Sequence, residues 1–120
     1  MGCASSTAKV RFLNGKPAFK GDAMVKGFEK GNGLLFRIIK HGKKNHQTWA
    51  FYNDTKQYAM RVRTTFNSDC DIRALGETTL EEDGGEWVAS VTVPPGETMM
   101  FIEGRVNGFR SKMDAFKVES

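Results

Sequence analysis

Two cysteines, three prolines, two histidines and no long apolar run set the first limits on this 120-residue chain. Cys3 and Cys70 are too few for a disulfide framework, and nothing calls for an oxidising compartment, so reduced thiols are expected. No apolar stretch approaches the roughly 20 residues that a bilayer-spanning helix needs. Met1 to Leu13 also lacks the continuous apolar run of a secretory signal, and the chain is expected to remain in the cytosol. No cysteine pair has zinc spacing, Asp69 and Asp71 lack the rest of a calcium loop, and no glycine-rich phosphate cradle occurs. No metal and no cofactor is therefore assigned. His41 and His46 flank Lys43 and Lys44 in a segment that reads as an exposed loop, with no evident partner for either ring. Cys70 lies between Asp69 and Asp71, whose carboxylates oppose formation of the thiolate that a nucleophile needs. No catalytic residue is assigned, and the chain is read as non-enzymatic.

What is present suits one ordinary domain. Residues are 39% hydrophobic, 27% charged and 11% aromatic, which is enough apolar material for a core and not a disordered composition. The net charge of +4 is unevenly distributed. Residues 1–65 hold 13 Lys and Arg against 3 Asp and Glu, and residues 66–120 hold 5 against 11, so the halves come to +10 and −6. Folding can interleave the halves, so this asymmetry does not by itself make a patch. The opening is more informative: Lys9, Arg11, Lys16 and Lys20 all precede the first acid, Asp22. Residues 1–15 are read as a flexible N-terminal arm and 16–120 as the folded domain.

The domain is expected to be all-β. Tyr58, Met60, Val62, Thr64 and Phe66 alternate with Ala59, Arg61, Arg63 and Thr65, and Trp87, Ala89, Val91 and Val93 alternate with Val88, Ser90 and Thr92. Leu34 to Ile39 is a less alternating run suited to a buried strand. Asp83-Gly84-Gly85 and Asn107-Gly108 offer the positive φ of tight hairpins, Pro94-Pro95-Gly96-Glu97 fits a type II turn, and Gly31-Asn32-Gly33 reads as a looser loop. Strands are expected near 17–20, 23–28, 34–40, 48–53, 57–66, 72–80, 86–93, 97–104 and 109–117. Eight or nine short strands imply a single antiparallel β-sandwich or flattened barrel. Residues 43–75 contain no Gly or Pro, which leaves room for a short helix there.

The first six residues carry the chemistry. Met1-Gly2-Cys3-Ala4-Ser5-Ser6 matches the Met-Gly-x-x-x-Ser/Thr pattern for N-myristoylation, with Gly2 as acceptor and Ser6 as the small hydroxyl residue. Cys3 beside it is placed for S-palmitoylation. One myristoyl chain gives an association constant of only about 10⁴ M⁻¹, so a stable anchor needs a second chain or a basic patch. This chain offers both, since each cation near an anionic leaflet adds roughly 1 kcal/mol and Lys9, Arg11, Lys16 and Lys20 follow the acylation motif. The competing reading is an RNA- or anion-binding domain that uses the basic half, with Phe36, Arg37, Lys40, Lys43, Lys44, Trp49 and Phe51 as a stacking platform. An RRM or OB-fold signature is missing, and aromatics in alternating strands more often serve the core.

Four separated motifs, Trp49-Ala50-Phe51-Tyr52-Asn53-Asp54-Thr55, Ala74-Leu75-Gly76-Glu77-Thr78, Pro95-Gly96-Glu97-Thr98 and the run from Phe101 to Phe109, resemble the N-terminal domain of kinetoplastid calpain-related proteins. With Gly2 and Cys3, the chain resembles the small myristoylated members of that family over residues 10–118. The resemblance implies a compact antiparallel β domain, dual acylation at Gly2 and Cys3, and attachment to the cytoplasmic face of the plasma membrane, in particular the flagellar membrane. It leaves a lipid or protein partner of the β domain to be found. The calpain protease domain is absent, so no protease residue is carried over, and Pro94 stands where an aromatic is expected.

Overall fold

Alternating apolar residues become antiparallel strands because every second side chain turns to the same face. The computed structural model describes Phe12, residues 14–26 and residues 35–118. Among these are nine strands: β1 (Ala23–Lys26), β2 (Leu35–His41), β3 (His46–Asn53), β4 (Tyr58–Phe66), β5 (Asp71–Ala74), β6 (Thr79–Asp83), β7 (Glu86–Val93), β8 (Thr98–Arg105) and β9 (Phe109–Lys117). They form two antiparallel sheets, β1-β2-β3-β8-β5 and β6-β7-β4-β9, packed as a sandwich. The expected all-β class stands, in its open sandwich form.

The core follows the alternation. Met60, Val62, Thr64 and Phe66 of β4 are buried, as are Ala89, Val91 and Val93 of β7. From the other sheet Leu35, Trp49, Phe51, Phe101 and Ile102 meet them, with Phe51 and Phe101 edge to face at 5.0 Å. Phe101 and Ile102 are both buried although adjacent, because the β3–β8 register shifts at the Trp49–Ala50 step and leaves Phe101 as the extra residue. At the margin of this core the half-buried Arg37 guanidinium lies 4.6 Å from the Trp49 ring and 5.0 Å from the Phe109 ring. Burial pulls its pKa below the usual arginine range.

Three local expectations need correction. Residues 17–20 pair with no strand: Pro17 has no N–H to give a ladder, and residues 18 and 19 form a bend. The expected strand 72–80 is two strands, because Leu75 to Thr78 turns, with Thr78 N–H donating to Leu75 O at 3.1 Å, and delivers β5 and β6 to different sheets. Asn107-Gly108 is no hairpin, since it carries the chain from β8 in one sheet to β9 in the other. The two remaining turns behave as read. Gly84 and Gly85, at φ 62° and 87°, close the β6–β7 hairpin, and Glu97 N–H donates to Pro94 O at 3.1 Å with Gly96 at φ 74°. Residues 43–75 contain only a 3-10 turn at Lys43–Asn45 and no α-helix. The Gly31–Gly33 loop lies outside the described residues.

Buried polar residues join the two sheets where β3 passes into β4. Asn53 Nδ2 donates to Tyr58 O at 2.6 Å and Val93 O at 2.9 Å, and its backbone N–H donates to Glu97 O at 3.0 Å. Thr55 Oγ1 donates to Asn53 Oδ1 at 2.7 Å. Buried polar groups cost little only when paired in this way, and here the pairing ties the β3–β4 and β7–β8 links together.

Candidate membrane-facing arm and its platform

The inner core leaves the opposite face of β2 and β3 to be covered, since Phe36, Ile38 and Tyr52 also carry apolar surface. The chain before β1, together with Met24 of β1, covers it. Phe12 sits edge to face on Phe36 at 5.3 Å and on Tyr52 at 5.4 Å, and Phe19 and Met24 pack on the same cluster. Polar bonds fix its course. Asn14 N–H donates to Asp54 Oδ1 and Asn14 Nδ2 to Asp54 O, each at 2.7 Å, and Ala18 N–H donates to Thr98 Oγ1 at 2.8 Å. Tyr52 OH donates to the same Asp54 Oδ1 at 3.1 Å. Desolvation, then this bond and the neighbouring carboxylate charge, push the Tyr52 phenol up to about 12. Gly21 is needed where the segment passes close over β2, as an added Cβ would lie 2.6 Å from Ile39 O.

The segment leaves an open apolar groove of about 450 Å³ between Phe12, Pro17, Phe19 and Met24, with the exposed Lys16 and Lys20 at its rim. These two lysines are the parts of the expected electrostatic arm within the described residues. Gly2, Cys3, Ser6, Lys9 and Arg11 lie outside them. Residues 12 and 14, inside the stretch read as arm, are packed and hydrogen-bonded to the domain.

The other sequence candidates serve the fold. Cys70 is buried: its Sγ accepts from Asn107 N–H at 3.0 Å and donates to Gly108 O at 3.6 Å, while Asn107 Nδ2 donates to Asp69 Oδ2 at 2.5 Å. It pins the β4–β5 link to the β8–β9 link. Both histidines have carboxylate neighbours that the sequence did not suggest. His41 Nδ1 is 3.5 Å from Asp22 Oδ2, and His46 Nε2 is 3.8 Å from Glu103 Oε1. The hydrogen bond from Arg73 holds the Glu103 carboxyl below its ordinary range. Among the described residues no three His, Cys, Asp or Glu side chains cluster as metal ligands. Phe36, Trp49 and Phe51 are buried and so unable to stack on bases, which removes the aromatic half of the nucleic-acid platform.

The sequence reading missed Asn14 and Asp54, which hold the arm. Asn53-Asp54-Thr55 following an apolar run looks like ordinary turn composition, and its one signal was membership in a motif shared with a family.

Residues 12–118 match the family model described as Domain of unknown function (DUF1935). Two solved structures are similar. One is the NMR structure of SMP-1 (Small Myristoylated Protein) from Leishmania major, at 61% identity and TM-score 0.82, covering 98% of this chain and 89% of that one. The other is a Leishmania major hypothetical protein, at 38% identity and TM-score 0.82, covering 92% of this chain and 96% of that one. No curated protein matches.

Proposed function

The chain belongs to the DUF1935 domain family, as a relative of the Leishmania major small myristoylated protein, and from that membership we propose a non-enzymatic β module held at a membrane by two acyl chains. Myristate on Gly2 and palmitate on Cys3 anchor it to the inner leaflet, and the flagellar membrane is the site the calpain-related resemblance favours. The observation that carries this reading is the docking of Phe12 on Phe36 and Tyr52. It gives the acylation motif a fixed origin: Gly2 is only ten steps along the chain from Phe12, a reach of at most roughly 35 Å at 3.3–3.6 Å per step. The exposed Lys16 and Lys20 stand beside that origin, where an anionic leaflet would attract them. Engagement of the Cys70 sulfur by two backbone groups supports a domain that presents a surface instead of performing chemistry.

Mass spectrometry of the native protein reports both acyl chains. In cells, Gly2→Ala should abolish membrane attachment and Cys3→Ser should leave weak, reversible binding, since palmitate is added second and myristate alone is marginal. Membrane fractions equal to that of the unmutated protein for both variants would overturn the model.

A further inference from the structure

The layer opposite the arm carries two cations, Arg63 and Lys112, that pair with no acid among the described residues. Arg63 on β4 stands directly across from Lys112 on β9, and the next outward pair is Thr65 and Arg110. Like charges at opposed positions of an antiparallel pair repel, so this placement opposes stability. Among the described residues Arg63 and Lys112 have no ion-pair partner, and the Thr65 hydroxyl has no hydrogen bond. Arg110 is held in place by Glu86, at 3.1 and 3.3 Å. These side chains surround an open hollow of about 340 Å³ on the outer face of the sheet. Two guanidinium groups, one ammonium and one free hydroxyl line it, with Glu86 on Arg110 and Asp114 one step further along the same face of β9, and this excess of positive charge suits a doubly charged phosphate better than a singly charged carboxylate.

A second feature points to how such a group arrives. β9 is an edge strand of nine residues, exposed along almost its whole length. Asn67 N–H donates to Gly108 O and Val118 N–H to Gln57 O, so in a regular antiparallel register the even-numbered residues of β9 bond to β4. The backbone groups of Ser111, Met113 and Ala115 therefore face outward, ready to accept another strand. The docked segment lies on the other layer and leaves this face uncovered.

We propose that β9 with Arg63, Thr65, Arg110 and Lys112 binds an extended segment of a partner polypeptide carrying a phosphoserine or phosphothreonine. The segment adds along the free edge of β9, and its phosphoryl group enters the hollow. The cytosolic source of the ligand rests on the membrane reading above. The test uses the full chain without acylation, so either reading can fail without the other.

The probe is the pentapeptide Thr-Val-phosphoserine-Val-Thr, blocked at both ends, with its serine and glutamate counterparts, titrated into isotope-labelled protein and followed by amide shifts. The phosphopeptide should bind at least tenfold more tightly than the glutamate peptide and shift Thr65, Ser111, Met113 and Ala115. Arg63→Gln and Lys112→Gln should each weaken binding at least threefold while leaving the protein equally or more stable, because the repulsion is relieved. Glu86→Gln should strengthen it by freeing Arg110. Lys16→Gln with Lys20→Gln should leave it unchanged. Equal binding of phosphoserine and glutamate peptides, or unchanged binding by the Arg63 and Lys112 variants, would overturn the proposal. So would preference for phosphatidic acid vesicles over the peptide through these same residues, which would make a lipid headgroup the occupant.

Discussion

Asn14 closes two hydrogen bonds on Asp54, forty residues away, one from its backbone and one from its side chain, both 2.7 Å long. Sequence places Asn14 in a tail, whereas the bonds make it the clasp that lays the tail over β2 and β3.

Asn14→Ala removes one bond and leaves the Asp54 carbonyl without that donor. The expected loss is about 1 kcal/mol, measured by urea unfolding, with faster amide exchange at Ala18. Unchanged exchange there would mean that Phe12 packing alone holds the segment.

Tyr52 supplies a test at high pH. Its phenol, raised to about 12 in the folded chain by burial and by Asp54, loses its proton near 10 when unfolded. Below pH 10 both states keep the proton and the contribution is complete. Between the two values only the folded state keeps it, so stability falls by roughly 2 to 3 kcal/mol as pH rises across the window. Denaturant midpoints for Tyr52→Phe should show a shallower decline between pH 10 and 12 than those for the unmutated protein. Parallel declines would refute the assignment.

Cys70 should behave as a structural thiol. Its sulfur bridges Asn107 and Gly108 from a buried site, so a thiol reagent at neutral pH should modify it at the rate of unfolding and no faster. Cys70→Ala should cost about 1 to 3 kcal/mol through the orphaned Asn107 N–H and the small cavity. Rapid labelling of the folded protein by a cysteine-protease probe would contradict this.

Gly104 sits in β8 between β3 and β5 at φ 137°, a conformation that side chains disfavour. A Cβ there would run into the Asp71 carbonyl oxygen. Gly104→Ala should destabilise by on the order of 3 kcal/mol or more, read as a lowered thermal midpoint, with β5 detaching first. A thermal midpoint equal to that of the parent would show that β5 yields freely.

The sandwich was legible because Met60, Val62, Thr64 and Phe66 repeat with period two, and so do Ala89, Val91 and Val93. That period reports which face is buried, not which strand lies alongside. Nothing in Leu75 to Thr78 or Asn107-Gly108 reveals that the chain is changing sheets there, since a tight hairpin uses the same residue types. The arm was illegible for a related reason. Phe12 and Phe19 follow no helical or strand period, because that stretch is held by ring contacts and by the bonds of Asn14 and Ala18 instead of a ladder, whereas Met24 lies in β1, within the strand expected at 23–28. Arg63 and Lys112 lie forty-nine residues apart in sequence, and only the β4–β9 register makes them opposites.

Five links exchange sheets, those from β3 to β4, β4 to β5, β5 to β6, β7 to β8 and β8 to β9. Neither sheet is a contiguous stretch of chain: β8 lies between β3 and β5, and β4 lies between β7 and β9. Such lacing raises the contact order, so folding should take milliseconds to seconds instead of microseconds, and the sheets cannot be completed before β8 and β9 have left the ribosome. The same lacing protects the finished molecule. A proteolytic nick at Gly84-Gly85 divides the chain but cuts only the β6–β7 turn, leaving the ladders of β7 with β6 and β4, β8 with β3 and β5, and β9 with β4 to hold the two pieces as one body.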